Sequence, residues 1–203
     1  MKKRLILIGG GGHCRSCIDV IEQQGEFTIA GIVDQREKNG ELVLGYPIMA
    51  CDEDMPDLLR QYDLFFITIG QIKTCERRMQ LFKQITAAGK TLPVFISPLA
   101  YVSPHARIGQ GTIVMHQALV NAGAQVGMNC IINTKALVEH DARIDDHCHI
   151  ATGAIINGGA VVQRESFIGS GAVIREGVTI GAASIVGCQT TVKGDTGPRR
   201  VLK

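Results

Sequence analysis

No stretch of this 203-residue chain approaches the ~18 consecutive apolar residues of a membrane-spanning helix, so no membrane span is expected. The opening "MKKRLILIGGGG" is too short for a signal peptide, and its apolar core reads as a first β-strand. Excess charge is missing as well: 21 Lys+Arg face 19 Asp+Glu, 12 against 12 before residue 96 and 9 against 7 from there on. Neither half has the basic field that binds nucleic acid, and no such partner is expected. A disulfide framework is also absent. The seven cysteines, at 14, 17, 51, 75, 130, 148 and 188, are odd in number and irregularly spaced, which points to a reduced, cytoplasmic protein. Cys14 and Cys17 form C-x-x-C, but they follow a Gly-rich turn and read as residues of a helix's first turns rather than a redox or metal pair.

What the chain has in abundance is a six-residue period. Sixteen consecutive hexads from Val102 to Val192 carry Val or Ile at the same position, and four residues later comes a mostly small side chain such as Ala106, Ala124, Cys130 or Ser166. Six matches neither the 3.6 of a helix face nor the 2 of an exposed strand. It is the period of a solenoid of short strands and tight corners, a parallel β-helix. Sixteen buried aliphatic side chains do not by themselves offset the ordering of about ninety-six residues. Stacked ladders, the small partners and contacts between subunits are expected to supply the difference.

The first ninety-five residues have another rhythm. Arg4 to Ile8 is an apolar run followed by Gly9 to Gly12, then an amphipathic stretch ending at Gly25, then "FTIAGIVD" ending on Asp34. That is strand, Gly-rich turn, helix and strand; the helix N-terminus could hold an anion, and a plain tight turn is the alternative. The dinucleotide fingerprint is incomplete, since Cys14 stands where its third Gly belongs. "DLFFITIG" supplies a third strand ending at Gly70, and a helix is expected from about Cys75 to Ala88. This α/β unit is too short for a two-halved dinucleotide domain and suits a mononucleotide at its strand ends. The polar, basic tail from Asp195 to Lys203 is expected to cover the open end of the solenoid.

Within the solenoid, His140, His147 and His149 fall inside ten residues. Three hexads make one coil, so residues eighteen apart stack at about 4.8 Å. His140 then lies between Ala122 and Gly158, with room for an imidazole beside an exposed backbone N–H. That pair could act as general base and oxyanion donor; a surface histidine is the plainer alternative. Glu139 and Asp141 flank His140, but neighbours in an ideal strand point to opposite faces, so a bend is needed for either to orient the ring. No Ser or Cys pairs convincingly with a His, which favours direct transfer without an acyl-enzyme.

With "IGGGGH", Asp34, "TIG" through Gly70 and "IINTKALVEHD…CHIATGA", the chain resembles the NeuD/PglD-type hexapeptide-repeat acyltransferases, which acetylate sialic acids or the 4-amino group of UDP-linked amino sugars. The resemblance implies a Rossmann-like nucleotide-sugar-binding domain over 1–95 and a left-handed parallel β-helix with a short tail over 96–203. It also implies a homotrimer with the active site between neighbouring subunits, acetyl-CoA as co-substrate, and no metal. On the matching positions His140 is the general base and Asp141 its acidic companion. Asn133 contacts the acceptor sugar, while Gly11, Gly12 and His13 hold a diphosphate. Asp34 and Gln35 sit near the nucleoside, Arg78 near a phosphate, and Gly70 is a further substrate-binding position. His149, Gly158, Ile155 and Ile174 would contact acetyl-CoA, Gly158 through its backbone N–H. Two positions depart from the family pattern: Gln35 stands where many nucleotide-sugar members carry a second acidic residue, and "GPRR" replaces the usual G-x-P-A-K ending. Rival expectations are O-acetylation of sialic acid, a zinc hydrase like γ-type carbonic anhydrases using His140, His147 and His149 across a subunit interface, and a non-catalytic scaffold.

Overall fold

The computed structural model describes residues 2–203. The N-terminal unit holds β1 (Lys3–Ile8), α1 (Gly12–Gln24), β2 (Phe27–Val33), β3 (Leu42–Val43), β4 (Tyr46–Ala50), α2 (Met55–Gln61), β5 (Leu64–Ile67) and α3 (Glu76–Ala87). Its sheet runs β3-β4-β2-β1-β5, with β3 antiparallel to β4 and the other pairs parallel. The apolar runs of β1 and β5 suit strands covered on both faces. The expected strands and helices at the Gly-rich turn are present. The β3-β4 hairpin and α2 add to them, having too little apolar periodicity to stand out in the sequence.

From β6 (Phe95–Ile96) the chain coils into sixteen two-residue strands, β7 (Tyr101–Val102) to β22 (Thr191–Val192), ending with β23 (Val201–Leu202). The expected boundary between residues 95 and 96 therefore falls inside β6, whose register with Ile113 and Val114 already belongs to the solenoid. The strands stack into three parallel sheets of six, five and seven, and the coil is a left-handed β-helix. The second residue of each strand points inward. From Val114 to Val192 that stripe and the small residues four positions later form one buried core. Each corner from Gly111 to Gln189 carries a residue of positive φ at every sixth position, some Gly and others, such as Asn129 (φ 53), Asp141 (φ 58) and His147 (φ 60), not. This is where the coil spends backbone strain. The tail closes the end by pairing β23 with the strand Ile185–Val186.

The seven-stranded sheet docks on the N-terminal unit. Its outward side chains Phe95, Ile113 and Ile131 share a core with Cys14, Cys17 and Ile18 of α1 and with Phe66. Phe95 lies edge-on to Phe66 at 4.7 Å and to Phe27 at 5.2 Å. Outward rows on the other two sheets differ in character. The six-stranded sheet shows Tyr101, Leu119, Leu137, Ile155 and Val173, and the five-stranded one Arg107, Gln125 and Arg143.

Candidate active site

A cleft of about 460 Å³ opens at the C-terminal ends of β1, β2 and β5 and is lined by Gly11, Gly12, His13, Asp34, Gln35 and Gly70, together with Lys38, Asp52, Thr68 and Arg77. Gly9 has φ +106, and a Cβ there would strike Ile69 at 2.5 Å, so the fold itself demands glycine. Gly11 and Gly12 are different: a Cβ on either would meet nothing within 4 Å. The space above them is empty, beside the N-terminal N–H groups of α1, as an anion site requires. Asp34 accepts hydrogen bonds from the Gly10 and Gln35 N–H groups and from Lys38 Nζ. Partial burial opposes its charge, but these donors prevail and hold its carboxyl below the usual range. Thr68 Oγ1, 2.6 Å from Gly9 O, ties the end of β5 to that of β1.

Between the cleft and the solenoid stand two uncharged histidines, His13 on the cleft wall and His149 6.5 Å away. Burial pulls the His13 pKa down to about 3, helped by Arg78 and His149, and that of His149 down to about 4. His13 is therefore uncharged at neutral pH and brings a dipole to the cleft wall. His149 is 7 % exposed. Its Nδ1–H donates to Gln71 O at 2.6 Å, and its Nε2 accepts from Asn133 Nδ2 at 3.1 Å. Asn133 Oδ1 accepts the Thr134 N–H at 2.8 Å, which fixes the amide's orientation. In the unfolded chain His149 protonates near pH 6.5, and in the folded chain only near pH 4. The unfolded state thus binds more protons between these values, and stability should fall as pH drops from about 6.5 to about 4, by about 3 kcal/mol from this residue. Denaturant titrations across that window check it, with a shallower acid slope expected for His149→Gln.

His140 lies at another corner, between the six- and five-stranded sheets, and its side chain is 64 % exposed. Asp141 takes the left-handed conformation there, and this is the bend that lets adjacent residues meet: His140 Nδ1 stands 3.0 Å from Asp141 Oδ2. Glu139 Oε2 accepts from the His140 N–H and from Asn121 Nδ2. Asp141 donates its N–H to Ala122 O, and Gly159 donates to His140 O, so the ring is framed by Ala122 and Gly158 as the eighteen-residue stacking requires. A Cβ on Gly158 would come within 2.7 Å of His140 Nε2. The hydrogen bond that His140 donates to Asp141 raises the His140 pKa, with smaller help from the charges of Asp141, Glu139 and Glu176. An open depression joins Glu139, His140, Asn157, Gly158, Glu176 and Gly177.

The PglD N-terminal domain family is matched over residues 4–85. A histidine-to-asparagine mutant of perosamine N-acetyltransferase from Caulobacter crescentus, solved with CoA and GDP-perosamine, superposes with a TM-score of 0.88 at 36 % identity, covering 96 % of this chain and 90 % of that one. The acetyltransferase domain of PglB from Neisseria gonorrhoeae FA1090 gives 0.88 at 32 %, over 96 % and 93 %. The chain belongs to the NeuD/PglD-type hexapeptide-repeat sugar acetyltransferases. A further relative, the uncharacterized protein L142 of Acanthamoeba polyphaga mimivirus, is 32 % identical over 108 residues, which is 53 % of this chain and 20 % of that protein.

As a sugar acetyltransferase, this chain places several expected site residues differently. Arg78, expected near a phosphate, is 2 % exposed. Its Nη1 donates to Ile67 O and Ile69 O, and its Nη2 to Asn129 O and Oδ1, so it binds the end of β5 to a solenoid corner. The arginine that lines the cleft is its neighbour Arg77, paired with Asp52. Ile174 is fully buried in the solenoid interior and cannot touch CoA with its side chain. Ile155 points outward on the apolar row. His149 has both ring nitrogens engaged within the chain. His147 lies on a third corner, bonded to Asn129 and edge-on to Phe82, so the three histidines stand at separate places on the chain.

One Ser–His pair escaped the sequence reading. Ser97 Oγ is 2.6 Å from His116 Nδ1, and His116 Nε2 is 2.8 Å from Asp19 Oδ2. Ser97 is 1 % exposed and also accepts the Leu99 N–H. The trio is a tie between α1 and the solenoid rather than a nucleophile.

Proposed function

We propose that this chain transfers the acetyl group of acetyl-CoA to the 4-amino group of a nucleotide-linked amino sugar, UDP-linked as the sequence resemblance implies, with His140 as general base. The observation that carries this reading is the setting of His140: an exposed imidazole, backed on Nδ1 by Asp141, whose Nε2 overhangs Gly158, a glycine whose N–H has no hydrogen-bond partner among the described residues. His140 Nε2 takes a proton as the amine nitrogen attacks the thioester carbonyl. The Gly158 N–H steadies the oxyanion, the C–S bond breaks, and the proton passes to the departing thiolate. The complexes of the relatives support the two ligands: CoA and GDP-perosamine for the Caulobacter enzyme, and acetyl coenzyme A for the PglB domain.

Within one chain, the nucleotide cleft and the His140 depression share no residue. A homotrimer would join them. Packing the apolar row of Tyr101, Leu119, Leu137, Ile155 and Val173 about a three-fold axis sets the His140 corner of one subunit beside the Asn133 corner of the next. Both corners flank that same sheet.

A GDP-linked acceptor is the second reading, favoured by the GDP-perosamine complex. The test measures CoA release with UDP- and GDP-linked 4-amino sugars and with free and CMP-linked sialic acid. Turnover confined to the sialic acids would replace the N-acetyl reading with O-acetylation. Gly11→Val should keep the melting temperature, since nothing crowds that Cβ, while weakening nucleotide-sugar binding about tenfold or more in calorimetry.

A further inference from the structure

We infer that His149 is a positioning residue for the acceptor sugar: an uncharged link that transmits the placement of the cleft loop at Gly70–Gln71 to the side-chain amide of Asn133. The inference rests on the acetyl-transfer reading for its substrate and on the bond pattern for its geometry.

The imidazole is held from both ends. Gln71 O takes the Nδ1 proton at 2.6 Å, so Nε2 carries a lone pair and accepts from Asn133 Nδ2 at 3.1 Å. The other tautomer, or a protonated ring, would set an N–H against that amide N–H, and a flipped ring would set a C–H there. The Thr134 N–H, donating to Asn133 Oδ1, excludes the opposite flip of the amide. One of the two Asn133 Nδ2 protons is thereby committed to His149, and the other has no acceptor among the described residues. That remaining proton is the donor the acceptor sugar would meet. Phe167 closes one side of the ring at 5.2 Å, and His13, a cleft residue, stands 6.5 Å away. Gln71 is 2 % exposed, and its Nε2 reaches Ser166 O at 3.5 Å, which seats the loop on the solenoid. The loop that walls the cleft and the corner that carries Asn133 thus meet in one imidazole.

Two variants separate the ends of this link. His149→Asn can keep a donor near Gln71 O but offers no acceptor to Asn133. His149→Gln reaches further and returns an acceptor oxygen. His149→Asn should raise the KM for the nucleotide sugar about tenfold, the size expected when one hydrogen-bonded amide loses its orientation, with the KM for acetyl-CoA unchanged. His149→Gln should recover most of the loss. An unchanged acceptor KM in His149→Asn, or any rise in the acetyl-CoA KM, would overturn the inference, the second outcome by placing His149 at the donor thioester. Long-range proton–nitrogen-15 spectra of the unliganded protein test the geometry without turnover. The expected signature is a protonated Nδ1 and an unprotonated Nε2 whose resonance moves in Asn133→Ala. A protonated Nε2 would overturn the link. If the spectra show that signature and no sugar is acetylated by the wild type, the acetyl-transfer reading fails and the link does not.

Discussion

Replacing His140 with alanine should lower kcat by about 10²- to 10⁴-fold while the protein stays folded and continues to bind acetyl-CoA. The side chain is 64 % exposed and packs in no core, so its loss removes a proton acceptor and little else. Its pKa lies above the ordinary histidine value because Asp141 accepts its Nδ1 proton and favours the charged ring. The base works only when neutral, so the acid limb of kcat/KM should fall above pH 6.5, and Asp141→Asn should move that limb to lower pH. Steady-state rates between pH 5 and pH 9 measure both effects. Unchanged turnover in His140→Ala would remove the residue from the chemistry.

The second large effect is on stability. Arg78→Met should destabilise the protein by about 3 to 5 kcal/mol, because four hydrogen bonds to Ile67 O, Ile69 O and both Asn129 acceptors vanish from a buried site. Burial lowers the pKa of this guanidinium to about 10, which leaves it charged at neutral pH, so the oxygens around it are its only compensation. Methionine fills much of the volume but satisfies none of them. Urea unfolding gives the difference directly. A loss below about 1 kcal/mol would show that water replaces the guanidinium and that the arginine is not the clamp between β5 and the solenoid. Activity should fall with it, since Gly70 and Gln71 follow Ile69.

The solenoid was legible because its signal repeats: one aliphatic position per hexad, sampled sixteen times, leaves little freedom in register. The same stacking places His140 between Ala122 and Gly158 from the eighteen-residue spacing alone. What escaped was whatever depends on a single non-repeating contact. Arg78 and Arg77 are adjacent on a helix, and only the packing of α3 determines that one faces the interior and the other the cleft. Asn133 and His149 are sixteen residues apart, a near-coil separation that hints at proximity but not at which ring nitrogen carries the proton. Ile174 could have been excluded from the sequence, since it belongs to the inward stripe. The left-handed corner residue also had a readable trace: the sixth-residue positions from 111 include Gly, Asn and Asp, the residues that tolerate positive φ.

Each coil of the solenoid advances by one interstrand spacing, about 4.8 Å. The coil number that separates the His140 corner from the docked α/β unit therefore works as a ruler, marked in whole turns. Removing or inserting eighteen residues between β6 and Glu139 would keep the fold's internal pattern and shift His140 up or down by one graduation. Acceptors longer or shorter by a fraction of that step would have to be accommodated elsewhere, in the loop at Gly70–Gln71, because the scale itself has no half marks.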